Sequence, residues 1–298
     1  IHKFFSAAFD PEAKDTYFFS YPVKNDVYET YIKRMDNIQS QGFVQAFIRS
    51  TLNMQPYIPG SSIKGAIRTA VLSNLCSDKN KILQDRDTDK ADRKTQAILL
   101  EYWNRERNTS DIPSDPFKFV KFEDIPWKNE WIRIFLVEIT TPPEAAGIRK
   151  NPFQGGYQTK ESKREPKIPI LMEVALSRNE WVVDSELTVL VMDKYNSGLK
   201  KILPSGPNDI KPLLKIVNDY YKKQIDKESE YYKSMNPSAQ KNYETIKGLF
   251  QSVKDNECII KLGMGTGQNY CSYAVMNYQP KSRKMVNNLP MGWMRLTF

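Results

Sequence analysis

Ser61, Ser62, Lys64 and Arg68 form the grouping in this chain best suited to chemistry, and that chemistry is anion binding. They lie in PYIPGSSIKGAIRTAVLSNL, Pro56–Leu75, where a loop opens directly into a helix. Pro56 and Pro59 stiffen the approach, and Gly60 permits a sharp turn. Ser61 or Ser62 is the expected N-cap. Ile63, Ala66, Ile67, Ala70, Val71 and Leu75 follow helical spacing and face a core. Lys64 and Arg68, four apart, share a different face. First-turn amides, two hydroxyls and the Lys64 ammonium then meet at a point that suits a phosphate. A capped core helix with two solvated cations would explain the same residues. A nucleotide-triphosphate loop would not: it needs Gly-x-x-x-x-Gly-Lys-Ser/Thr, and here Gly65 is followed by Ala66.

The rest of the composition narrows the chemistry. The only histidine is His2, so histidine-based nucleophilic or ribonuclease chemistry and most zinc sites lack their imidazole. Cys76, Cys258 and Cys271 are odd in number and widely spaced, giving neither a disulfide framework nor a zinc spacing, which fits a reducing cytoplasm. No apolar run reaches the ~18 residues of a membrane span, and no stretch reads as a signal peptide. The chain opens on Ile1 rather than Met, so missing residues are expected, before it or internally. With 298 residues and 40% hydrophobic content it can bury a sizeable core as one large domain or two small ones. Its net charge of +9 favours polyanions, nucleic acid first, and its sixteen tyrosines offer rings for base stacking. No cofactor and no metal is expected. Glu123 and Asp124 are adjacent acids without a third ligand at a recognisable spacing.

The elements that must position these residues read as follows. Tyr17–Tyr21 is strand-like, Asp26–Met35 helical, and Phe43–Ser50 either strand or helix. Ser77–Arg93 is polar enough to loop out or form an exposed helix, and Thr95–Arg107 resumes helical spacing. Phe117–Phe122, Trp131–Thr141, Ile168–Leu176 and Glu186–Asp193 read as strands, with Pro169 at a strand start. Pro142–Lys167 is irregular, with six basic against three acidic residues, and reads as a mobile surface loop or a functional insertion. Asn208–Tyr232 and Ser238–Lys254 are helices whose tyrosines follow core spacing. Glu257–Lys261 and the closing MGWMRLTF are strands.

A second glycine-rich stretch, LGMGTGQN, follows the Glu257–Lys261 strand. Gly263, Gly265 and Gly267 would let a partner approach the backbone, with Thr266 and Gln268 between and after them. A structural turn would explain the pattern equally. From Lys261 to Phe298 there is no Asp or Glu, and Lys281, Arg283 and Lys284 add positive charge of the kind that suits a sugar-phosphate backbone.

PYIPGSSIKGAIRT resembles a signature of the RAMP superfamily, in particular of the subunit that caps the guide-RNA 3′ end in type III-A (Csm) CRISPR effector complexes. The resemblance is close over about fourteen residues and returns at LGMGTG; between them it lies only in length and order of elements. It implies an α+β fold of one or two ferredoxin-like (RRM-like) units with insertions, the first strand at or before residue 1. The first unit would span 1–150 and the second, with the glycine-rich loop, 151–298. Pro142–Lys167 would be a hairpin lying across the guide. Where the family carries a basic or aromatic residue soon after the glycine loop, this chain has Gln268, Asn269 and Tyr270, so no ionic phosphate contact is expected there.

The function implied is a cytoplasmic, non-catalytic crRNA-binding subunit that contributes to complex assembly and crRNA maturation. Its phosphate contacts would come from Gly60, Ser61, Ser62, Lys64, Gly65 and Arg68 and from Gly263, Gly265, Thr266, Gly267, Gln268, Lys281, Arg283 and Lys284. Its partners would be crRNA, other Csm subunits, especially the backbone RAMP subunit, and recruited host nucleases; no membrane partner is implied. The alternatives are a RAMP ribonuclease cutting guide or target RNA through Glu123, Asp124 or Asp184, a protein scaffold with incidental charge, and a type III-D relative.

Overall fold

The computed structural model describes residues 22–35, 44–76, 88–140, 167–176, 183–189, 197–233, 235–263 and 283–298. In chain order the described elements are α1 (Asn25–Met35), β1 (Val44–Gln45), β2 (Tyr57–Ile58), α2 (Gly60–Leu75), α3 (Thr88–Leu99), β3 (Trp103–Asn104), β4 (Thr109–Ser110), β5 (Val120–Phe122), β6 (Ile125–Pro126), β7 (Ile132–Thr140), β8 (Lys167–Ala175) and β9 (Leu187–Val189). They continue with α4 (Ser197–Ile202), α5 (Lys211–Tyr232), α6 (Pro237–Leu249), β10 (Glu257–Lys261), β11 (Arg283–Val286), β12 (Leu289–Pro290) and β13 (Trp293–Thr297). Short sheets and amphipathic helices in this mixture make the protein α+β. The contacts gather into two units that interleave along the chain: Ile1–Pro59, Asp124–Glu138 and Ile168–Ser185 in one, Gly60–Glu123, Ile139–Lys167 and Glu186–Phe298 in the other.

In the first unit β1 runs parallel to β8, which lies beside β7, and β2 pairs antiparallel with β6. Ile132, Val137 and Leu171 of β7 and β8 are buried. The buried Arg49 guanidinium pairs with the Glu173 carboxylate of β8 at 3.0 Å, and that carboxylate also accepts from the Phe47 amide at 2.8 Å. Of Phe43–Ser50, open between strand and helix in the sequence, Val44–Gln45 is a two-residue strand and Arg49 an isolated bridge, and Phe43 lies outside the described residues.

In the second unit α2 and β10 pack against α5. The α5 stripe Leu213, Leu214, Val217, Tyr220, Tyr221 and Ile225 is buried, as is every residue of β10. Burying side chains of this size stabilises by about 1.5–3 kcal/mol each. The buried Tyr221 hydroxyl donates to the Ala66 carbonyl of α2 at 3.2 Å, tying the two helices. At the far end of α5, Tyr232 stacks on Tyr243 of α6 with ring centroids 5.6 Å apart. β10 pairs antiparallel with β13, and β11 with β12 through Asn287–Asn288, whose φ angles of 50° and 64° match a two-residue hairpin turn. The Asn242 amide donates to the Asn288 carbonyl and the Asn236 amide to the Asn288 side-chain oxygen, clamping this hairpin to α6.

Several expected boundaries move. The helix expected at Thr95–Arg107 runs over Thr88–Leu99 instead, because Glu101 takes φ 61° and the chain then turns into the β3–β4 hairpin. Phe117–Phe122 is strand only from Val120. Pro116 and the Asp115 carboxylate, which accepts from the Phe117 amide, first set a 3-10 turn over Pro116–Phe119. The helix expected to reach Lys254 stops at Leu249. α4 and the β11–β12 hairpin were not foreseen. Tyr17–Tyr21 and 142–166 lie outside the described residues.

Candidate nucleic-acid interface

α2 begins at Gly60, not after a serine cap, so Ser61 and Ser62 occupy the first helical turn, both exposed. This helix start has a steric cause. Gly60 is pressed so close to the end of β5 that a Cβ there would lie 1.9 Å from the Phe122 carbonyl oxygen and 2.7 Å from that of Glu123. Only glycine permits this approach, and it starts the helix against the β5–β9 ladder. Amides in a first helical turn have no partner four residues earlier in the helix, so the turn presents donors beside two exposed hydroxyls.

Lys64 follows one residue beyond the serines, half-buried, and no ion pair involves it among the described residues. Burial pushes its ammonium below the usual lysine range. Asp115 pulls it back, while Arg68 and Lys121 push the same way as burial. Lys121 is the residue the sequence reading missed. It is the exposed middle position of β5, between buried Val120 and half-buried Phe122, near enough to Lys64 to repel its charge. The strand alternation placed Lys121 outward, but only the pairing of α2 with β5 brings it beside Lys64.

Arg68 stands differently. Its Nη1 contacts both Asp115 oxygens, at 3.1 and 2.8 Å, its Nε donates to Gln96 at 2.9 Å and its Nη2 to the Tyr102 hydroxyl at 2.9 Å. The guanidinium also lies over Phe117, 5.1 Å from the ring centroid. It joins α2 to α3 and to the Pro116–Phe119 turn, so its donors serve the fold. Gly65 is exposed, and a Cβ there would meet nothing within 4 Å.

At the second stretch, Gly263 is exposed with φ 103°, a backbone conformation that favours glycine. Gly265, Thr266, Gly267, Gln268 and Lys281 lie outside the described residues. Arg283 is buried rather than displayed: its Nε donates to Glu228 of α5 at 2.5 Å, and its guanidinium lies 3.5 Å from the Tyr231 ring centroid. Lys284 is half-buried, its ammonium pushed down by burial. Lys261, also buried, lies over the Trp293 ring, and the Glu228 carboxylate that holds Arg283 also attracts its ammonium. A further glycine supports that stretch: a Cβ on Gly292, at φ 85°, would lie 1.8 Å from the Leu262 carbonyl oxygen, and the Leu262 amide donates to Gly292 at 2.7 Å.

Glu123, Asp124 and Asp184 are exposed. Among the described residues no three His, Cys, Asp or Glu side chains gather as a metal cluster, and no helix is long and apolar enough to cross a membrane.

Fold and site together describe an α+β protein whose glycine-started helix and neighbouring strand present hydroxyls and lysines to solvent. The chain belongs to the RAMP superfamily, whose family model matches residues 47–268. It is similar to the CRISPR system Cms protein Csm5 of Methanocaldococcus jannaschii, 43% identical over 88 residues, a match covering 27% of this chain and 18% of that relative. Its fold is similar to a chain in the cryo-EM structure of a Csm–crRNA–target RNA ternary complex of a type III-A CRISPR-Cas system, with TM-score 0.52 and 20% identity, covering 86% of this chain and 75% of that one. It is also similar to the crystal structure of T. onnurineus Csm5, with TM-score 0.51 and 18% identity, covering 85% and 73%.

Proposed function

We propose that this chain is a non-catalytic crRNA-binding subunit on the 3′-end side of a type III-A CRISPR effector complex, contributing to assembly and crRNA maturation. The observation that carries the reading is the start of α2, where exposed Ser61 and Ser62, Lys64 and Lys121 surround a helix start that Gly60 holds against β5. The similarity to Csm5 and to a chain of a Csm–crRNA complex supplies the biological setting. In this reading Ser61, Ser62, Lys64, Gly65 and Lys121 meet guide phosphates. Arg68 and Arg283 hold the elements in place, and Gly263 to Gln268 with Lys281 and Lys284 form a second contact. The partners are crRNA, the backbone RAMP subunit and its neighbours, and host nucleases recruited for maturation; the compartment is the cytoplasm. Two RAMP units divided near residue 150 belong to the same proposal.

The test is purification of the assembled complex, followed by mapping the RNA cross-linked to this chain. A guide with a defined 3′ end cross-linked at the α2 peptide supports the reading. RNA cleavage by the purified chain in Mg²⁺, lost on Glu123→Gln or Asp124→Asn, would replace it with a ribonuclease.

A further inference from the structure

The outward side of the β5–β9 ladder carries Lys121 directly opposite Thr188, and both are exposed. Val120, Phe122, Leu187 and Val189 alternate to the other side, where they are buried or half-buried. Side chains opposed in this way lie about 5 Å apart at Cβ. Among the described residues, neither the Lys121 ammonium nor the Thr188 hydroxyl has a hydrogen bond or an ion pair. The pair adjoins the start of α2. Lys64, one turn into that helix, feels the charges of Asp115, Arg68 and Lys121. Asp115 is already engaged, with both oxygens on the Arg68 Nη1, which leaves Lys64 and Lys121 in positive excess. Two residues along each strand, exposed Glu123 and Glu186 face each other across the ladder, the Glu123 amide donating to the Glu186 carbonyl at 3.1 Å. Their carboxylates repel a phosphate, so an anion on this side is confined to Lys121 and Thr188.

The chemistry of the pair selects which part of a nucleic acid it meets. Neither residue offers a ring for a base to stack on. An ammonium beside a hydroxyl suits a sugar-phosphate backbone instead. In RNA the 2′-hydroxyl and the 3′-phosphate sit on adjacent ribose carbons. A lysine on the phosphate therefore brings its neighbouring hydroxyl within reach of the sugar. The threonine hydroxyl both donates and accepts, as does the ribose 2′-hydroxyl, and DNA lacks that group.

We propose that Thr188 discriminates RNA from DNA at this surface: Lys121 holds a backbone phosphate and the Thr188 hydroxyl bonds the ribose 2′-hydroxyl next to it. The proposal rests on the reading of the α2 start as a guide-RNA contact and adds the residue that reads the sugar. The test measures the affinity of the purified chain for one single-stranded sequence, as RNA and as DNA, in wild type, Thr188→Val, Thr188→Ser and Lys121→Ala. Valine keeps the β-branched shape that suits an exposed strand, so Thr188→Val should melt with wild type. Its affinity for RNA relative to DNA should fall about two- to tenfold, the scale of one hydrogen bond. Thr188→Ser should keep the wild-type ratio. Lys121→Ala should weaken RNA and DNA binding alike, because both carry the phosphate. A wild-type ratio in Thr188→Val overturns the assignment, whether both affinities hold or both fall, and so does a ratio lost equally in Thr188→Ser. Undiminished RNA binding by Lys121→Ala overturns it while leaving the α2 reading intact. A wild-type chain that binds no RNA overturns that reading, and the role of Thr188 with it.

Discussion

The Cα of Gly60 lies against the Phe122 carbonyl so closely that no side chain fits between them. One backbone-to-backbone approach thereby decides where α2 starts and which strand stands beside its first turn. Gly60→Ala would push into a carbonyl rather than a flexible side chain, and overpacking of this kind costs about 1–3 kcal/mol. The variant should unfold at lower temperature and, in calorimetry, should not regain wild-type stability when RNA is present. A wild-type melting temperature would show that β5 yields without cost.

Gly65 predicts the reverse. It is exposed, in mid-helix, with open space where a Cβ would go. Gly65→Ala should therefore stabilise the fold by about 0.5–1 kcal/mol. If the guide backbone approaches this face, the same substitution should weaken RNA binding. A variant that is both more stable and as tight in filter binding would remove Gly65 from the interface.

Lys64 and Arg68 separate for the same reason. Lys64→Glu should leave the melting temperature near wild type and weaken RNA binding about tenfold. Arg68→Ala should lower stability by about 2 kcal/mol, because Asp115, Gln96 and Tyr102 lose a shared donor. Arg68→Lys should restore little of it, since an ammonium cannot reproduce the planar fork. Salt titration adds an independent measure: Lys64→Ala and Lys121→Ala should each flatten the log–log salt slope by about 0.7 for single-stranded RNA.

Stability should depend on pH through β10. Burial holds Lys261 down to about 8, with Glu228 pulling it up and Arg283 pushing it down, against 10.5 for an ordinary lysine. Between those values the unfolded chain binds more protons than the folded one, so this group adds stability as pH rises. Cys258 acts in the opposite sense: burial raises its thiol to about 12 from 9.0, so above 9 the unfolded chain loses a proton that the fold keeps. Lys261→Met should remove the rise, and its melting temperature should fall more steeply than that of wild type from pH 8 to 10. Parallel curves would show that Lys261 titrates as an ordinary lysine.

By itself the sequence determined what depends on near neighbours along the chain. Helical spacing from Ile63 to Leu75 and along α5, the apolar β10, the glycines at both candidate turns and the absence of a second imidazole were all legible, because each is a local pattern of residue types. The RAMP resemblance was equally legible, carried by the fourteen residues around Gly60. Tertiary structure decided what depends on distant partners. Arg68 reads as a surface cation until Asp115, forty-seven residues on, takes its guanidinium. Arg283 reads as basic surface until Glu228 buries it. Lys121 reads as any outward strand residue until β5 closes on Gly60. Charge type is written in the sequence, but whether a charge faces solvent or a carboxylate is settled only when elements far apart in the chain pack together.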